Sequence, residues 1–213
     1  MIDCRRICIL FSAAVALVAA LPATQVRAQS ALAAEVAKPV TLPEIAIGSP
    51  TAPVTITEYA SMSCVHCAAW GENVFPMLRS HYIDTGKVRF VFREFPLDLK
   101  AAGASLLARC IAKGDSEKYL AAVETMYKQL DPLLARTTQT LLLIGKLNGM
   151  SEEEVKACAT DQEMLGKLRA DGQYAHTTLK VDTTPTFFVN GQVLKGAMSF
   201  EELEAVIKPL LQR

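Results

Sequence analysis

This 213-residue chain has few aromatic residues and no excess of charge of either sign. Aromatic residues make up 7% of the sequence, with a single tryptophan, and 22 basic residues balance 22 acidic ones. Balanced charge gives no reason to expect nucleic acid or an anionic membrane as a partner. The sequence also contains no internal repeat and no low-complexity stretch. Its hydrophobic content of 51% is nevertheless high enough for a full core.

Closely spaced cysteine pairs are also scarce, since only one CxxC motif is present. Cys64 and Cys67 form this motif. The remaining cysteines form no second pair of this kind: Cys4, Cys8, Cys110 and Cys158. A zinc site made of two paired CxxC motifs is therefore excluded. Two thiols at this spacing can still close into a disulfide or bind a metal with a distant further ligand.

The N-terminus has the three regions of a secretory signal peptide. Arg5 and Arg6 precede an apolar run from Ile7 to Leu21, and Val26-Arg27-Ala28 offers a cleavage site. A membrane anchor is the alternative, but the run has 15 residues, and a spanning helix needs about 20. We expect removal of residues 1–28, which leaves 185 residues in an oxidising compartment.

The mature chain begins with strand and helix signals in alternation. Residues 29–53 are interpreted as a leader with a short strand near Glu44–Ile47. Alternating β-branched and apolar residues predict strands at Val54–Tyr59 and Val88–Phe95. Helical spacing of large apolar residues predicts a helix from about Cys64 to Tyr82 between them.

The second half of the chain changes to helical patterns before strands return. The helices predicted there are Leu99–Lys113, Ser116–Gln129, Thr138–Asn148, Ser151–Thr160 and Gln162–Lys180. Strands follow at Pro185–Val189 and Gln192–Lys195, joined by the hairpin turn Asn190-Gly191. Ser151 with Glu154 forms a capping box, and Ser199 with Glu202 caps a last helix that ends near Leu211.

This order of elements predicts an α/β fold with a mixed central sheet flanked by helices. A strand–helix–strand unit favours parallel pairing, and the closing hairpin adds antiparallel strands. We therefore expect one domain formed by residues 54–97 and 181–213, interrupted by a helical insertion at 98–180.

The CxxC motif lies where a loop enters a helix. Unpaired backbone N–H groups and the positive end of the helix dipole stabilise a thiolate there. We expect Cys64 to be exposed and nucleophilic, and Cys67 to face the protein and resolve a mixed disulfide. His66 is expected to act as a cation or hydrogen-bond donor near the Cys64 sulfur. The alternatives are an inert structural disulfide and a metal site.

Two further positions carry chemistry. Glu58 lies in an otherwise apolar strand six residues before Cys64, where a buried carboxylate can relay the proton of the second thiol. The alternative is that Glu58 lies on a solvated strand face. Thr184-Pro185 opens the later hairpin, at a position where a cis peptide bond would be a specific feature.

Taken together, these residues resemble a known family. Glu58, the sequence Cys64-Val65-His66-Cys67 and Thr184-Pro185 resemble the thioredoxin fold, and the signal peptide and helical insertion resemble its periplasmic DsbA branch. The resemblance implies that Cys64 attacks, that Cys67, His66 and Glu58 assist, and that Val65, Thr184 and Pro185 contact substrate. Val65 departs from the proline usual in the family. Thr184 resembles the disulfide isomerases and some alphaproteobacterial members of the family, so the resemblance is to the alphaproteobacterial DsbA proteins.

The resemblance also implies a function. The chain is similar to thiol:disulfide oxidoreductases that introduce disulfides into newly exported, cysteine-containing proteins. Enzymes of this kind are reoxidised by a DsbB-like membrane quinone reductase. We expect a monomer that needs neither cofactor nor metal. An isomerase or reductase, or a dithiolate metal chaperone, remains an alternative. Cys110 and Cys158 are expected to form a structural disulfide, with two separate buried thiols as the alternative.

Overall fold

The structure, a computed structural model, describes residues 20–212. The greater part of the expected signal peptide, residues 1–28, lies outside this range. The described part begins with helix α1, Ala20–Val36. Throughout residues 20–212, every helix is too short or too polar to span a bilayer.

A five-stranded mixed sheet forms the centre of the fold, in the order β1-β3-β2-β4-β5. The strands are β1 Ile45–Ile47, β2 Val54–Ala60, β3 Val88–Glu94, β4 Thr186–Val189 and β5 Gln192–Lys195. Only β2 and β3 are parallel, because a helical crossover joins them, and the other pairs are antiparallel. The predicted α/β fold with a mixed sheet is confirmed, including the short strand near residue 45.

The hairpin between β4 and β5 turns where the sequence predicts it. Asn190 has φ 45° and Gly191 has φ 86°. These left-handed conformations are those of a type I′ turn, whose twist matches that of the flanking strands. A Cβ atom at Gly191 would also lie 2.1 Å from the Gln29 carbonyl oxygen. Both the positive φ and this close contact therefore require glycine at this position.

The helical insertion between β3 and β4 contains six helices. They are α4 Leu99–Ala112, α5 Ser116–Lys128, α6 Leu130–Ala135, α7 Thr137–Leu147, α8 Glu152–Ala159 and α9 Gln162–Thr177. A reciprocal capping box of Ser151 and Glu154 starts α8, and one of Ser199 and Glu202 starts the last helix, α10, Phe200–Leu210. Five insertion helices were predicted, whereas the short α6 was not.

The single helix predicted from Cys64 to Tyr82 is wrong. The segment comprises α2 Val65–Asn73, α3 Phe75–Leu78 and a π-helical turn Arg79–Ile83. Pro76 has no N–H to continue the hydrogen-bond ladder of α2, and it lies in the first turn of α3, where that donor is not needed. The apolar periodicity continues through the break and hides it in the sequence.

The core between the sheet and α2 is aromatic. Trp70 is 2% exposed, and its ring centroid lies 4.6 Å from that of Phe187 and 6.1 Å from that of Phe75. Phe90 packs 4.9 Å from Phe75. Aromatic contacts of this kind add to the hydrophobic gain from burial. Helix α2 is thereby fixed against β3 and against β4, the strand that follows Pro185.

A buried ion pair joins the sheet to the insertion. Glu94, the last residue of β3, accepts two hydrogen bonds from Arg109 of α4, at 2.5 and 2.7 Å, and one from the hydroxyl of Tyr119 of α5 at 2.9 Å. All three side chains are largely withdrawn from solvent. Such a pair is costly to break, because the remaining charge would stay buried.

A disulfide also crosses the insertion. Cys110 near the end of α4 is bonded to Cys158 near the end of α8, with their Cα atoms 6.2 Å apart. The two residues are 48 positions apart in sequence. The bond therefore links α4 directly to α8, although α5, α6 and α7 lie between these two helices in sequence.

Candidate functional site

Cys64 is the residue that caps helix α2. It adopts an extended conformation immediately before the helix, and its sulfur accepts a hydrogen bond from the backbone N–H of Cys67 at 3.2 Å. A side chain at this position satisfies one of the helix's unpaired N–H groups. A thiolate does so better than a thiol, because the positive end of the helix dipole adds to the attraction.

This position lowers the pKa of Cys64 from 9.0 to about 5. The hydrogen bond from the thiol of Cys67 contributes most and burial opposes it. The Thr184 side chain and the backbone N–H groups of Cys67 and His66 lower the pKa further. Cys64 and Cys67 are both free thiols in the structure. In the reduced state, Cys64 is therefore ionised at neutral pH.

The expectation that Cys64 is exposed is wrong, since the residue is only 7% exposed. The segment before β4 covers it, and the sulfur lies 3.3 Å from the carbonyl oxygen of Thr184, to which the thiol form can donate. The neighbouring Val65 is 56% exposed, and His66 is also exposed. The exposed surface beside the sulfur is therefore formed by Val65 and His66.

In this structure, His66 lowers the pKa of Cys64 through its backbone rather than through its ring. Its N–H group favours the Cys64 thiolate. Its side chain lies in solvent on the first turn of α2. The expected interaction of the imidazole with the sulfur is thus not formed in the free protein described here.

Cys67 behaves in the opposite way to Cys64. It is 0% exposed, and its pKa is raised far above that of an ordinary thiol. Burial contributes most, followed by its hydrogen bond to the Cys64 sulfur and the negative charge of Glu58. Two thiols three residues apart therefore have separate roles, one ionised and one protonated.

Glu58 is buried in the middle of β2, with 3% exposure, so it does not lie on a solvated strand face. It is flanked by Phe92 of β3 and Phe187 of β4. Burial and the nearby charge of Cys64 raise its pKa from 4.5 to about 8. Glu58 is therefore mainly protonated at neutral pH and can give up a proton close to Cys67.

Thr184 and Pro185 lie next to Cys64 in the fold, although they are far from it in sequence. The peptide bond between them is cis. Thr184 is 6% exposed. Its hydroxyl lies close enough to the Cys64 sulfur to help to lower the pKa of that thiol, although no hydrogen bond of regular geometry reaches the hydroxyl within residues 20–212. Its carbonyl oxygen, 120 positions away in sequence, lies beside the Cys64 sulfur. The fold thus joins the two motifs that the sequence singled out separately.

Tyr127 is a member of the site that the sequence did not indicate. Its hydroxyl lies 3.4 Å from the carbonyl oxygen of Ser61 in the loop before Cys64. Burial and the nearby Cys67 and Glu58 raise its pKa well above the ordinary value. It follows Leu120 and Val123 on one face of α5, which indicates burial but not the place where the ring is buried.

A cleft of about 570 Å³ connects this region with the surface between α2, α3 and α5. Glu58 and Tyr127 line its inner part, and charged residues line its rim: Glu72, Arg79, Glu117, Glu124 and Lys128. The cleft offers Glu58 a route for exchange of protons with solvent. Within residues 20–212, no group of three or more His, Cys, Asp or Glu side chains is placed to hold a metal ion.

Comparison with known proteins agrees with this geometry. A family model described as thioredoxin matches residues 41–209. A protein-disulfide oxidoreductase of Rickettsia bellii is 35% identical over 150 residues, which are 70% of this chain and 57% of that protein. The chain thus spans less than two thirds of that relative's length. The disulfide bond formation protein D of Bacillus anthracis is 30% identical over 176 residues, covering 78% of each.

Among solved structures, α-DsbA1 of Wolbachia pipientis resembles the chain with a TM-score of 0.72 and 28% identity. The similarity covers 81% of this chain and 94% of that one, so it includes both the sheet and the helical insertion. The chain therefore belongs to the thioredoxin family, and within it the chain resembles the DsbA proteins.

Proposed function

We propose that the protein oxidises pairs of thiols in other proteins, with the disulfide of Cys64 and Cys67 as the oxidant. The observation that carries this proposal is the contrast between the two thiols, with the pKa of Cys64 lowered to about 5 and that of Cys67 raised. A stabilised Cys64 thiolate favours the reduced protein. Its disulfide is then readily given away to a substrate.

The reaction runs in two exchanges. A substrate thiolate attacks the Cys64 sulfur, the Cys64–Cys67 bond breaks, and Cys67 leaves as a thiolate that takes a proton from Glu58. A second substrate thiolate then attacks the substrate sulfur of the mixed disulfide, and Cys64 leaves as the stabilised thiolate. The substrate loses two electrons and the protein gains them, while Glu58 recovers its proton through the cleft.

Substrate recognition uses the surface beside the sulfur. The cis peptide of Thr184-Pro185 lies before β4, and an extended peptide can pair with the backbone of Thr184 by strand addition. Val65, which is 56% exposed, offers an apolar contact beside Cys64. His66 is placed to interact with the mixed disulfide as it forms.

The setting of this reaction is also proposed. Residues 1–28 would direct the chain to the periplasm, and newly exported proteins with cysteines would be the substrates. A DsbB-like membrane quinone reductase would restore the disulfide. A monomer with its thioredoxin domain at 54–97 and 181–213 would be sufficient, with the insertion at 98–180 stabilised by the Cys110–Cys158 bond.

Refolding of reduced ribonuclease with the oxidised protein tests the proposal. We expect the wild-type protein to restore ribonuclease activity, and a Cys64→Ser variant to restore none. Full activity of Cys64→Ser would contradict the proposal. An isomerase would instead rescue scrambled ribonuclease better than reduced ribonuclease. A metal chaperone would bind one metal ion tightly and show no exchange activity in either assay.

A further inference from the structure

A second cavity lies on the opposite face of the sheet from Glu58. It has a volume of about 410 Å³, within the range of small-molecule sites. Successive side chains of a strand point to opposite faces, so Thr55 and Thr57 of β2 line this cavity while Glu58 lines the other cleft. Helix α1 closes one side through Ala33 and Val36.

Two arginines of β3 enter this cavity and share one carboxylate. Arg89 and Arg93 are four residues apart, an even spacing that places them on one face of β3, and both line the cavity. Each forms an ion pair with Glu44, and Arg93 Nη2 lies 2.9 Å from Glu44 Oε2. The charged side chains that line the cavity therefore carry one net positive charge.

Arg93 is the more unusual of the two. It is 5% exposed, and its Nε and Nη1 groups have no acceptor within residues 20–212. Buried donors on a charged group are costly to leave unpaired. Two other carboxylates line a small neighbouring pocket with Arg93, and both have partners of their own, since Asp171 accepts from the backbone of Thr41 and Glu94 from Arg109.

The remaining walls are apolar or weakly polar. Val91 and Phe188 come from the sheet, and Val36 comes from α1. Thr57, which is 3% exposed, also lines the cavity. A ligand that fits this lining has one negative charge at one end and a short apolar body at the other.

We propose that this cavity binds a small monocarboxylate with an apolar body, whose carboxylate lies at Arg89 and offsets the uncompensated charge of Arg93. Arg89 is 27% exposed in its side chain, so its free N–H groups are accessible to such a ligand. Glu44 competes with the ligand for both guanidinium groups. The site is separate from the redox centre and does not depend on the proposed oxidase function.

Calorimetric titration of the purified protein with octanoate tests the proposal, and octanamide serves as the uncharged comparison. We expect saturable binding of octanoate and binding of octanamide about tenfold weaker or less, the factor that corresponds to about 1.4 kcal/mol. Arg89→Gln should weaken octanoate binding by a similar factor. Glu44→Gln should instead tighten it, because the competing carboxylate is lost.

The opposite signs of these two variants separate a built anion site from general apolar binding. Lys146→Gln removes an exposed cation on α7 and should leave binding unchanged. Equal binding of octanoate and octanamide, or absence of saturable octanoate binding to the wild type, would overturn the proposal. Equal effects of Arg89→Gln and Lys146→Gln would do the same. Far-ultraviolet circular dichroism of each variant checks that the fold is retained.

Discussion

The pKa of Cys64 predicts a strong dependence of the reduced protein's stability on pH. The value of about 5, against 9.0 for an ordinary thiol, applies to a residue that is 7% exposed. Because one pKa unit corresponds to about 1.4 kcal/mol, the thiolate stabilises the reduced fold by roughly 3 kcal/mol at pH 7. By the two-electron conversion, this raises the reduction potential by roughly 60 mV.

The sign of the pH effect follows from the direction of the shift. A group whose pKa is lowered on folding contributes its full stability above its unfolded pKa, and that contribution is lost as the pH falls through the folded value. Unfolding of the reduced protein by denaturant should therefore require progressively less denaturant between pH 9 and pH 5, once the same change in the oxidised protein is subtracted.

Ultraviolet absorbance of the thiolate measures the same pKa directly. We expect one titration near 5 in the reduced wild-type protein. A Cys67→Ala variant removes the thiol that donates to Cys64, so its titration should move to higher pH. A Cys64 titration near 9 in the wild-type protein, or no change in Cys67→Ala, would refute the reasoning.

Three further predictions concern the surroundings of the site. Glu58→Gln removes a carboxyl whose pKa is raised from 4.5 to about 8, so folding opposes its ionisation. In denaturant unfolding, the stability of the variant relative to the wild type should therefore grow by roughly 3 kcal/mol between about pH 5 and 7.5. Substrate oxidation by the variant should slow by about 10²-fold. Parallel stability profiles would contradict this assignment. Arg109→Met leaves the buried Glu94 without its counter-charge and should lower the free energy of unfolding by roughly 3–5 kcal/mol in chemical denaturation. Glu117→Gln, at an exposed ion pair, should lower it by less than about 1 kcal/mol. Equal losses of stability in the two variants would argue against the buried pair. Replacement of both Cys110 and Cys158 by alanine should lower the free energy of unfolding by roughly 4 kcal/mol, because the unfolded chain regains the entropy of a loop of 48 residues. An unchanged denaturation midpoint would contradict this prediction.

Much of the fold was predictable from local signals. The capping boxes at Ser151 and Ser199 and the Asn190-Gly191 turn were identified correctly, because each depends on residues within a few positions of one another. The break at Pro76 was missed, because the apolar spacing of the segment runs through it. Local patterns thus locate elements better than they locate interruptions within them.

The site was predictable in composition but not in geometry. Cys64, Cys67 and Glu58 are close together as expected, yet the burial of Cys64 depends on the Thr184 carbonyl 120 positions away. Tyr127 was missed because its place at the site depends on how α5 packs against the CxxC loop. Contacts between distant segments have no signature in a single sequence, so these features emerge only from the fold.

The equilibrium of Cys64 and Cys67 with glutathione at pH 7 tests the central claim most directly. The stabilised thiolate predicts a potential roughly 60 mV above that of thioredoxin, at about −210 mV or higher. A potential near about −270 mV would show that the protein holds its disulfide as tightly as a reductase does. That result would contradict its proposed role as an oxidant.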